Sequence, residues 1–189
     1  MKPVREGKET EFEVRTFDAK MSPDEYRSLP KNPLYFILDN LRSAFNVGSI
    51  FRIGDILRIQ GLLLCGCTAA PPNQRLRKTS MGTVDYVQWR YFQKTIDAVD
   101  HLHETGVAVW AAETTSASKR YNGLAYPKNV AIVLGNEALG VSKEVLKVCD
   151  EIIEIPIFGY KNSLNVAAAC AVIGFKALEL WGNDQERSA

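Results

Sequence analysis

The sequence predicts an α/β fold in which a mostly parallel sheet is flanked by helices. Continuous apolar runs such as LYFIL (34–38) and NVAIVLG (129–135) are typical of strands that are buried on both faces of a sheet. Segments with helical character separate these runs, and strands that alternate with helices favour parallel pairing. The chain has 189 residues, of which 46% are hydrophobic, so it can bury one core and we expect one main domain.

The chain divides into three parts by composition. Residues 1–31 carry alternating charges and few large apolar side chains, which predicts a loosely packed N-terminal arm. A short helix is expected within the arm, because Ser22 can cap it and Glu25 follows three residues later in the pattern of a capping box. The main domain spans residues 32–182, and residues 183–189 form a polar tail.

Strands and helices of the main domain are predicted in an order that alternates for most of its length. The strands are expected at 34–38, 62–66, 107–113, 129–135 and 151–157. The helices are expected at 46–59, 95–106 and 142–149, followed by an alanine-rich helix that ends near residue 181. The basic segment TAAPPNQRLRKTSMGT (68–83) is rich in turn residues and is expected to form turns.

Charge and hydropathy exclude several classes of protein. The formal net charge is +1, so the chain is not a strongly basic polymer-binding protein, although a local basic patch can still bind nucleic acid. No apolar run approaches the roughly 18 residues that a membrane-spanning helix needs, and the N-terminus lacks the apolar core of a signal peptide. We therefore expect a soluble cytoplasmic protein without a membrane partner.

Cysteine spacing gives no sign of a metal site. The four cysteines are Cys65, Cys67, Cys149 and Cys170, and they do not form the C-x2-C pattern of a zinc site. Because free cysteine commonly packs as a small core residue, we expect buried, reduced thiols and no bound metal.

The loops after the strands are where a ligand site is expected, since parallel sheets bind ligands at the carboxyl ends of their strands. The turn after the first strand, DNLRSAFN, has no glycine, which weakens the case for an ordinary dinucleotide-binding fold. Gly135 follows a buried strand and would permit close approach of a ligand to the backbone. Glu137 in the same loop could accept hydrogen bonds there, or it could simply face water.

A second candidate loop precedes the last helix, in the stretch EIPIFGYKNSLN. Ser163 and Asn165 are both good capping residues, but a helix needs only one of them as its cap. The helix that follows is apolar nearly all round in its first half, so it is expected to be buried on more than one side. In a short chain, this predicts that a second subunit covers part of it.

The segment NVGSIFR contains a third candidate group. Asn46 is expected to cap a helix, and Gly48 is expected to keep the first turn of that helix open. Arg52 lies four residues after Gly48, on the same side of the helix. The planar guanidinium suits a phosphate, but taken alone Arg52 is equally an ordinary surface residue.

Together, in this order and spacing, three segments resemble the motifs of the SpoU/TrmH family of RNA ribose 2′-O-methyltransferases, in the SPOUT superfamily. They are N-x-G-x-x-x-R (46–52), G-N-E-x-x-G (135–140) and I-P-I…S-L-N-V-A-x-A (155–169). The resemblance covers residues 34–181 and includes KTSMGTVDYVQW (78–89). It implies that the C-terminal part of the chain threads through a loop to form a trefoil knot, which neither composition nor periodicity predicts.

The resemblance also implies a cofactor, S-adenosyl-L-methionine, and a homodimer. The residues implied to bind the cofactor are Leu134, Gly135, Asn136, Gly140, Ile155, Ile157, Ser163 and Leu164. The residues implied to act in catalysis are Arg52, Asn46, Glu137, Ser163 and Asn165. Since a guanidinium barely deprotonates in proteins, we assign Arg52 to holding the target phosphate and stabilising the developing alkoxide, rather than to acting as the base.

RNA is the substrate that the resemblance implies. The basic residues assigned to its backbone are Arg42, Arg75, Arg77, Lys78 and Lys161, although each taken singly is also consistent with a solvated surface charge. The short N-terminal arm favours tRNA over rRNA as the substrate. Alternatives are methylation of rRNA, a non-catalytic RNA-binding protein with the same fold, and a flavodoxin-like protein that binds a small ligand.

Overall fold

The structure is a computed structural model that describes residues 18–182, and the expectations for residues 1–17 and 183–189 lie outside the described residues. Within this range, the strands are β1 (Asn32–Asp39), β2 (Ile59–Cys65), β3 (Trp89–Phe92), β4 (Ala108–Ala112), β5 (Lys119–Arg120), β6 (Val130–Leu134) and β7 (Glu151–Glu154). The helices are α1 (Pro23–Ser28), α2 (Ala44–Ile56), α3 (Gln74–Ser80), α4 (Thr95–Glu104), α5 (Lys143–Leu146) and α6 (Val166–Leu180). The strands form one parallel sheet in the order β3-β2-β1-β6-β4-β7-β5.

The two faces of the sheet bury separate apolar cores. Successive residues of a strand point to opposite faces, so Phe36 of β1 belongs to one core and Ile37 belongs to the other. Helices α2, α3 and α6 contribute to the first core, and α4 and α5 contribute to the second. The predicted α/β architecture, with a parallel sheet between helices, is confirmed.

The carboxyl ends of four neighbouring strands meet at one edge of the sheet. Leu38 near the end of β1 pairs with Leu134 of β6, which also pairs with Ala112 of β4. Ala112 in turn pairs with Ile153 of β7. The loops that follow these strands therefore lie side by side, at the edge where parallel sheets bind ligands.

Helix α1 forms as predicted and packs against the main domain. The hydroxyl of Ser22 accepts the N–H of Glu25 at 3.2 Å, and the Glu25 carboxylate accepts the N–H of Ser22 at 2.6 Å. Tyr26 is buried, and its hydroxyl donates to the carbonyl of Asp55 at 3.3 Å. The ammonium of Lys31 lies 3.5 Å from the centroid of the Tyr26 ring. The described part of the arm is thus docked on the domain, rather than loosely packed as expected.

Helix α2 begins two residues earlier than predicted. Its N-cap is Ser43, whose hydroxyl accepts the N–H of Asn46 at 3.3 Å. The expectation that Asn46 caps the helix is therefore wrong, and its side chain is available for other contacts. The helix also ends before residue 59, since Arg58 adopts a φ of 45° at the turn into β2.

Three short elements were not predicted from the sequence. Helix α3 lies within the segment 68–83 that was expected to form turns, because the side chain of Asn73 caps it and Leu76 anchors it in the core. The side-chain oxygen of Asn73 accepts the N–H groups of Arg75 and Leu76 at 3.0 and 3.1 Å. Strands β3 and β5 lie at the two edges of the sheet and consist mostly of exposed residues, so neither shows a continuous apolar run.

Two of the cysteines differ from the expectation of buried thiols. Cys65 and Cys170 are buried, but Cys149 is half-buried and Cys67 is exposed. Cys67 follows the end of β2, where the chain leaves the sheet, and its thiol donates to the carbonyl of Asn40 at 3.4 Å. Burial raises the pKa of Cys65 and of Cys149 to about 12, so both remain protonated near neutral pH. All four cysteines are free.

Two kinds of feature are absent from residues 18–182. None of the described helices is long and apolar enough to cross a membrane. The described side chains also include no group of three or more His, Cys, Asp or Glu residues that could hold a metal ion.

Helices α2 and α3 pack closely because Gly48 has no side chain. A Cβ atom at Gly48 would overlap the hydroxyl of Thr79 and would lie 2.9 Å from the backbone nitrogen of Ser80. The Thr79 hydroxyl also donates to the carbonyl of Ala44 at 3.2 Å, in the first turn of α2. The glycine thus serves the packing of α3 on α2, which differs from the expected role of keeping the turn open.

We expect Gly48→Ala to destabilise the protein by roughly 1–2 kcal/mol. Overpacking of a tight contact costs about 1–3 kcal/mol, and the better helix propensity of alanine offsets up to about 1 kcal/mol of that cost. Urea unfolding of both proteins measures the change. Gly123→Ala is the matched control, since its nearest neighbour would be 3.5 Å away. An equal loss of stability in the two variants would contradict the packing role of Gly48.

Candidate functional site

A cavity of about 720 Å³ lies at the carboxyl ends of β4, β6 and β7. Its walls come from the loops that follow these strands, from the first turns of α6, and from Asn46 of α2. The lining residues are Asn46, Ala112, Glu113, Thr114, Leu134, Gly135, Asn136, Glu137, Ala138, Leu139, Gly140, Ile153, Glu154, Ile155, Ile157, Asn162, Ser163, Leu164, Asn165, Val166, Ala169 and Ile173. The cavity is therefore at the edge of the sheet where the sequence predicts a ligand.

The loop after β6 closes on itself, and Gly135 makes this possible. A Cβ atom at Gly135 would overlap the backbone of Gly140 and Val141. Asn136 and Gly140 exchange two backbone hydrogen bonds, with N–H to O distances of 3.0 and 2.8 Å. Gly140 adopts a φ of 70°, in the left-handed region that glycine tolerates. The close approach that Gly135 permits is thus made by the loop's own backbone.

Asn136 fixes this loop to the end of β1. Its side chain is buried, and the amide group donates to the carbonyl of Asn40 at 2.6 Å. Its side-chain oxygen accepts the N–H groups of Ala138 and Leu139, at 2.9 and 3.1 Å. The side chain therefore holds the shape of the cavity wall, with both polar groups engaged within the protein.

Glu137 joins the same loop to the start of α2. Its carboxylate accepts the backbone N–H groups of Arg42 and Ser43, at 2.9 and 3.1 Å, and the side-chain amide of Asn46 at 2.9 Å. Partial burial raises the pKa of Glu137, but the hydrogen bonds from Arg42, Asn46 and Ser43 outweigh it and hold the pKa below its ordinary value. Glu137 is exposed, but it does more than face water, because its carboxylate holds the start of α2.

Asn46 and Asn165 extend this contact to the last helix. The side-chain oxygen of Asn46 accepts the amide of Asn165 at 3.2 Å. The side-chain oxygen of Asn165 accepts the N–H groups of Ala167 and Ala168, at 3.0 and 3.3 Å, and so caps α6. Ser163 is exposed at the cavity wall and has no hydrogen-bond partner among residues 18–182. The helix cap is therefore Asn165, and Ser163 is left for another role.

The three segments singled out in the sequence are thus held together by a chain of side-chain hydrogen bonds. The order is Glu137, Asn46 and Asn165, with one residue from each segment. All eight residues implied to bind a cofactor line the cavity, as do four of the five implied to act in catalysis.

Arg52 is the exception, since it does not line the cavity and is exposed on α2. It follows Asn46 by six residues, so the two side chains project about 120° apart around the helix. Arg52 lies instead on the same face as Phe45 and Ile56, which are 66% and 64% exposed. Within one chain, the arginine and the cavity are therefore separate.

The charge of the cavity restricts its ligand. Three glutamates line it, namely Glu113, Glu137 and Glu154, and the described lining includes no lysine, arginine or histidine. A pyrophosphate-bearing cofactor needs donors that compensate its charge, as does the phosphate of a flavin. The cavity is therefore suited to a cationic or neutral ligand, which argues against the flavodoxin-like alternative.

Glu113 was missed in the sequence analysis. Its carboxylate accepts the N–H groups of Val141 and Thr114, at 2.8 and 2.9 Å, and so joins the loop after β4 to the loop after β6. It follows a buried strand directly, as Gly135 does, and that position was the available signal. A carboxylate at the end of a central strand is well placed to organise the neighbouring loop.

The predicted RNA-binding residues do not line the cavity. Arg42, Arg75, Arg77, Lys78 and Lys161 are all exposed. Three of them are on α3, which the Thr79 hydroxyl holds against the first turn of α2, next to the Glu137 contact. Arg77 also forms an ion pair with Asp85 at 3.4 Å.

Comparison with known proteins identifies relatives of the chain. The SpoU rRNA Methylase family matches residues 33–175. A Staphylococcus haemolyticus protein whose name places it among TrmH family tRNA/rRNA methyltransferases is 32% identical over 140 residues, which are 74% of this chain and 56% of that protein. The chain thus spans little more than half the length of this curated relative.

Solved structures share the fold. The A. aeolicus TrmH/SpoU tRNA modifying enzyme has a TM-score of 0.73 at 23% identity, over 80% of this chain and 77% of that one. The AdoMet-bound rRNA methyltransferase from Sinorhizobium meliloti has a TM-score of 0.73 at 27% identity, over 82% of this chain and 59% of that one. Because the family match spans residues 33–175 and the S. haemolyticus relative is 32% identical over 74% of this chain, the chain belongs to the SpoU methylase family.

Proposed function

We propose that the protein transfers a methyl group from S-adenosylmethionine to the 2′-hydroxyl of a ribose in RNA, with tRNA as the first candidate substrate and rRNA as the alternative. The observation that carries the proposal is the acidic cavity whose wall is joined to α2 and α6 through Glu137, Asn46 and Asn165. The family match supports it, since relatives with AdoMet or RNA in their names share this fold. The S. haemolyticus relative is named for both tRNA and rRNA.

The residues of the cavity fit S-adenosylmethionine. This cofactor carries a sulfonium and an ammonium group against one carboxylate and has no phosphate, so its net positive charge is matched by the glutamates of the lining. The backbone around Leu134, Gly135, Ile155 and Leu164 would hold the adenosine, with apolar contact from Ile173. When bound, the cofactor supplies a methyl group on a positively charged sulfur.

The protein's own groups would position the ribose and manage its proton. As the bond from the 2′-oxygen to the methyl carbon forms and the carbon–sulfur bond breaks, the hydroxyl proton must leave. Glu137 has a lowered pKa and three hydrogen bonds, so it is a weak base and serves to position α2. Arg52 stays protonated, so it would hold a substrate phosphate that takes the proton, and would stabilise the charge that develops on the oxygen.

Arg52 can contact the reacting atoms only if a second protein surface places a cavity next to it, and this favours a homodimer. Besides Phe45 and Ile56 on α2, the neighbouring helix α6 exposes Phe175 and Leu180 at 54% and 43%. Exposed apolar side chains of this size on two adjacent helices are typical of a subunit interface. We propose that a second copy covers this face, and that Arg52 then borders a cavity of the dimer.

The resemblance stated above also leads us to propose the trefoil knot. Strand β7 is inserted between β4 and β5, and α6 then returns to pack against α2 near the start of the domain. This path of the last elements is compatible with threading of the C-terminal part of the chain.

We expect the purified protein to transfer labelled methyl groups from S-adenosylmethionine to total tRNA. Arg52→Ala should lower kcat by at least about 100-fold, because it removes a hydrogen-bond donor that stabilises the charge developing in the transition state. Arg52→Lys should recover only part of this loss, since lysine lacks the planar fork. Calorimetry should give an unchanged Kd for the cofactor in both variants, because Arg52 does not line the cavity of its own chain and is proposed to hold the substrate phosphate at the cavity of the partner.

Separate assays with tRNA and rRNA decide the substrate class, and label in rRNA alone would select the alternative. RNA binding without cofactor binding or transfer would contradict the enzymatic proposal and favour a non-catalytic RNA-binding protein.

Glu137→Gln tests the hydrogen bonds at the start of α2. The NH₂ group of the glutamine side chain cannot accept the hydrogen bond from the N–H of Arg42. We therefore expect the unfolding free energy at pH 7 to fall by about 1 kcal/mol and methyl transfer to decrease. The folded pKa of Glu137 is below its ordinary value of 4.5, so its contribution is present above that pH and is lost as the pH falls through the folded pKa.

The measurement is urea unfolding of both proteins between pH 3 and 7. The difference between wild type and Glu137→Gln should shrink below pH 4.5. Glu104→Gln is the control, because Glu104 is exposed and accepts no hydrogen bond from a described side chain or backbone group. A difference that stays constant over the whole pH range would count against the carboxylate role.

The proposed dimer is tested by placing a charge on its face. We expect Phe175→Asp to convert the protein to a monomer in light scattering and to abolish methyl transfer, since a buried unpaired charge strongly disfavours an interface. Val148→Asp is the control, because Val148 is also exposed, at 38%, but lies after α5. A wild type that is monomeric at assay concentrations, yet fully active, would rule out the dimer as the functional unit.

A further inference from the structure

The segment between β7 and α6 exposes two aromatic rings at the cavity mouth. Ile157 and Asn162 both line the cavity, whereas residues 158–161 between them are exposed and do not line it. Phe158 is 90% exposed and Tyr160 is 99% exposed. Within residues 18–182, Tyr160 forms no hydrogen bond, and the ammonium of the adjacent Lys161 lies 5.8 Å from the centroid of its ring.

These rings are not held by the protein's own packing. Both stand outside the two apolar cores. Aromatic side chains gain much of their stabilisation from burial, and exposed clusters of them commonly mark a surface that binds something. The chain therefore presents two large apolar faces to solvent beside the site of the proposed reaction.

The charge around the rings favours an anionic partner. Residues 155–165 include no aspartate or glutamate, and Lys161 follows Tyr160 directly. The cavity interior carries three glutamates, so the sign of the charge changes between the interior and this segment of its rim. A partner with flat apolar faces and a negative backbone matches this arrangement, and unpaired RNA has both.

The small and polar residues next to the rings favour RNA over an apolar protein surface as the partner. Gly159 separates Phe158 from Tyr160, and Asn162 and Ser163 follow Lys161. The exposed face of α2 and α6 is different, since its large apolar side chains lie on regular helices. A double helix is also a poor match, because the faces of its bases are stacked inside and cannot meet a side-chain ring.

We propose that Phe158 and Tyr160 form a stacking surface for unpaired nucleobases next to the nucleotide that enters the cavity, with Lys161 contacting the phosphate between them. The substrate ribose would then lie in a single-stranded stretch or loop of RNA. This inference rests on the proposed function, because it takes RNA as the substrate.

The experiment measures binding of a fluorescein-labelled 12-nucleotide single-stranded RNA of mixed sequence, and of the same RNA annealed to its complement, by fluorescence anisotropy. Stacking on an aromatic ring contributes about 1–3 kcal/mol per base, so Phe158→Ala and Tyr160→Ala should each weaken single-stranded binding by about 5-fold or more. The double variant should lose still more, while duplex binding should change by less than about 2-fold.

Matched variants separate the ring from other effects. Tyr160→Phe keeps the ring and should bind like wild type, whereas Tyr160→Leu keeps an apolar side chain and should not. Tyr91→Leu is the control for loss of an exposed ring, since Tyr91 is 47% exposed on the edge strand β3. The Kd for S-adenosylmethionine should stay unchanged in all of these variants.

Three outcomes would overturn the inference. If the Phe158→Ala, Tyr160→Ala double variant binds single-stranded RNA as tightly as wild type and still transfers methyl groups, the stacking surface is wrong and the proposed function stands. If that variant becomes monomeric by sedimentation, the rings are covered by a second copy of the chain. If wild type binds neither RNA form, the proposed function fails together with the inference.

Discussion

The arrangement of the site depends on the carboxylate of Glu137. The first N–H groups of a helix have no partner within the helix, and α2 needs acceptors for the groups at its start. Glu137 accepts the N–H of the N-cap Ser43, the N–H of Arg42 just before it, and the side-chain amide of Asn46, whose oxygen in turn accepts from Asn165. A negative charge at a helix N-terminus is also favourable in itself. One anionic side chain therefore fixes α2, the loop after β6 and the start of α6 relative to each other.

The distribution of charge in the protein matters more than its total. A net charge of +1 gives no sign of a nucleic-acid-binding protein, yet glutamates line the cavity and exposed lysine and arginine side chains lie outside it. The acidic interior favours a cationic cofactor and disfavours entry of a phosphate. The basic surface favours an RNA backbone and keeps it outside. Both partners of the proposed reaction can therefore be bound next to each other without competing for one pocket.

The parts of the fold that sequence predicts are those in which local pattern and burial agree. Strand β6 is apolar throughout, β1 contains the run LYFIL (34–38), and α1 carries its capping box within four residues of the chain. The edge strands β3 and β5 escaped prediction because exposed residues leave no periodic pattern. The roles of Gly48 and Gly135 could not be predicted, since each depends on a neighbour that the fold brings close, namely Thr79 for one and Gly140 for the other. The motif resemblance predicts where the site is, but it does not predict which side-chain atoms are engaged in hydrogen bonds within the protein.

The predicted catalytic residues fall into two groups, according to whether their side chains form hydrogen bonds within the protein. Asn46 and Asn165 each use both polar groups of their side chains in hydrogen bonds within the protein, and the oxygen of Asn165 accepts two of them. Glu137 likewise accepts three hydrogen bonds. A residue engaged in this way cannot bind a substrate strongly without weakening the frame, so we propose that these three act by positioning. Ser163 and Arg52, in contrast, form no hydrogen bond with any described residue. We therefore expect Ser163 and Arg52 to contact the ribose and its phosphate directly. Because Arg52 is separate from the cavity of its own chain, we expect the working site to be assembled from two copies of the chain.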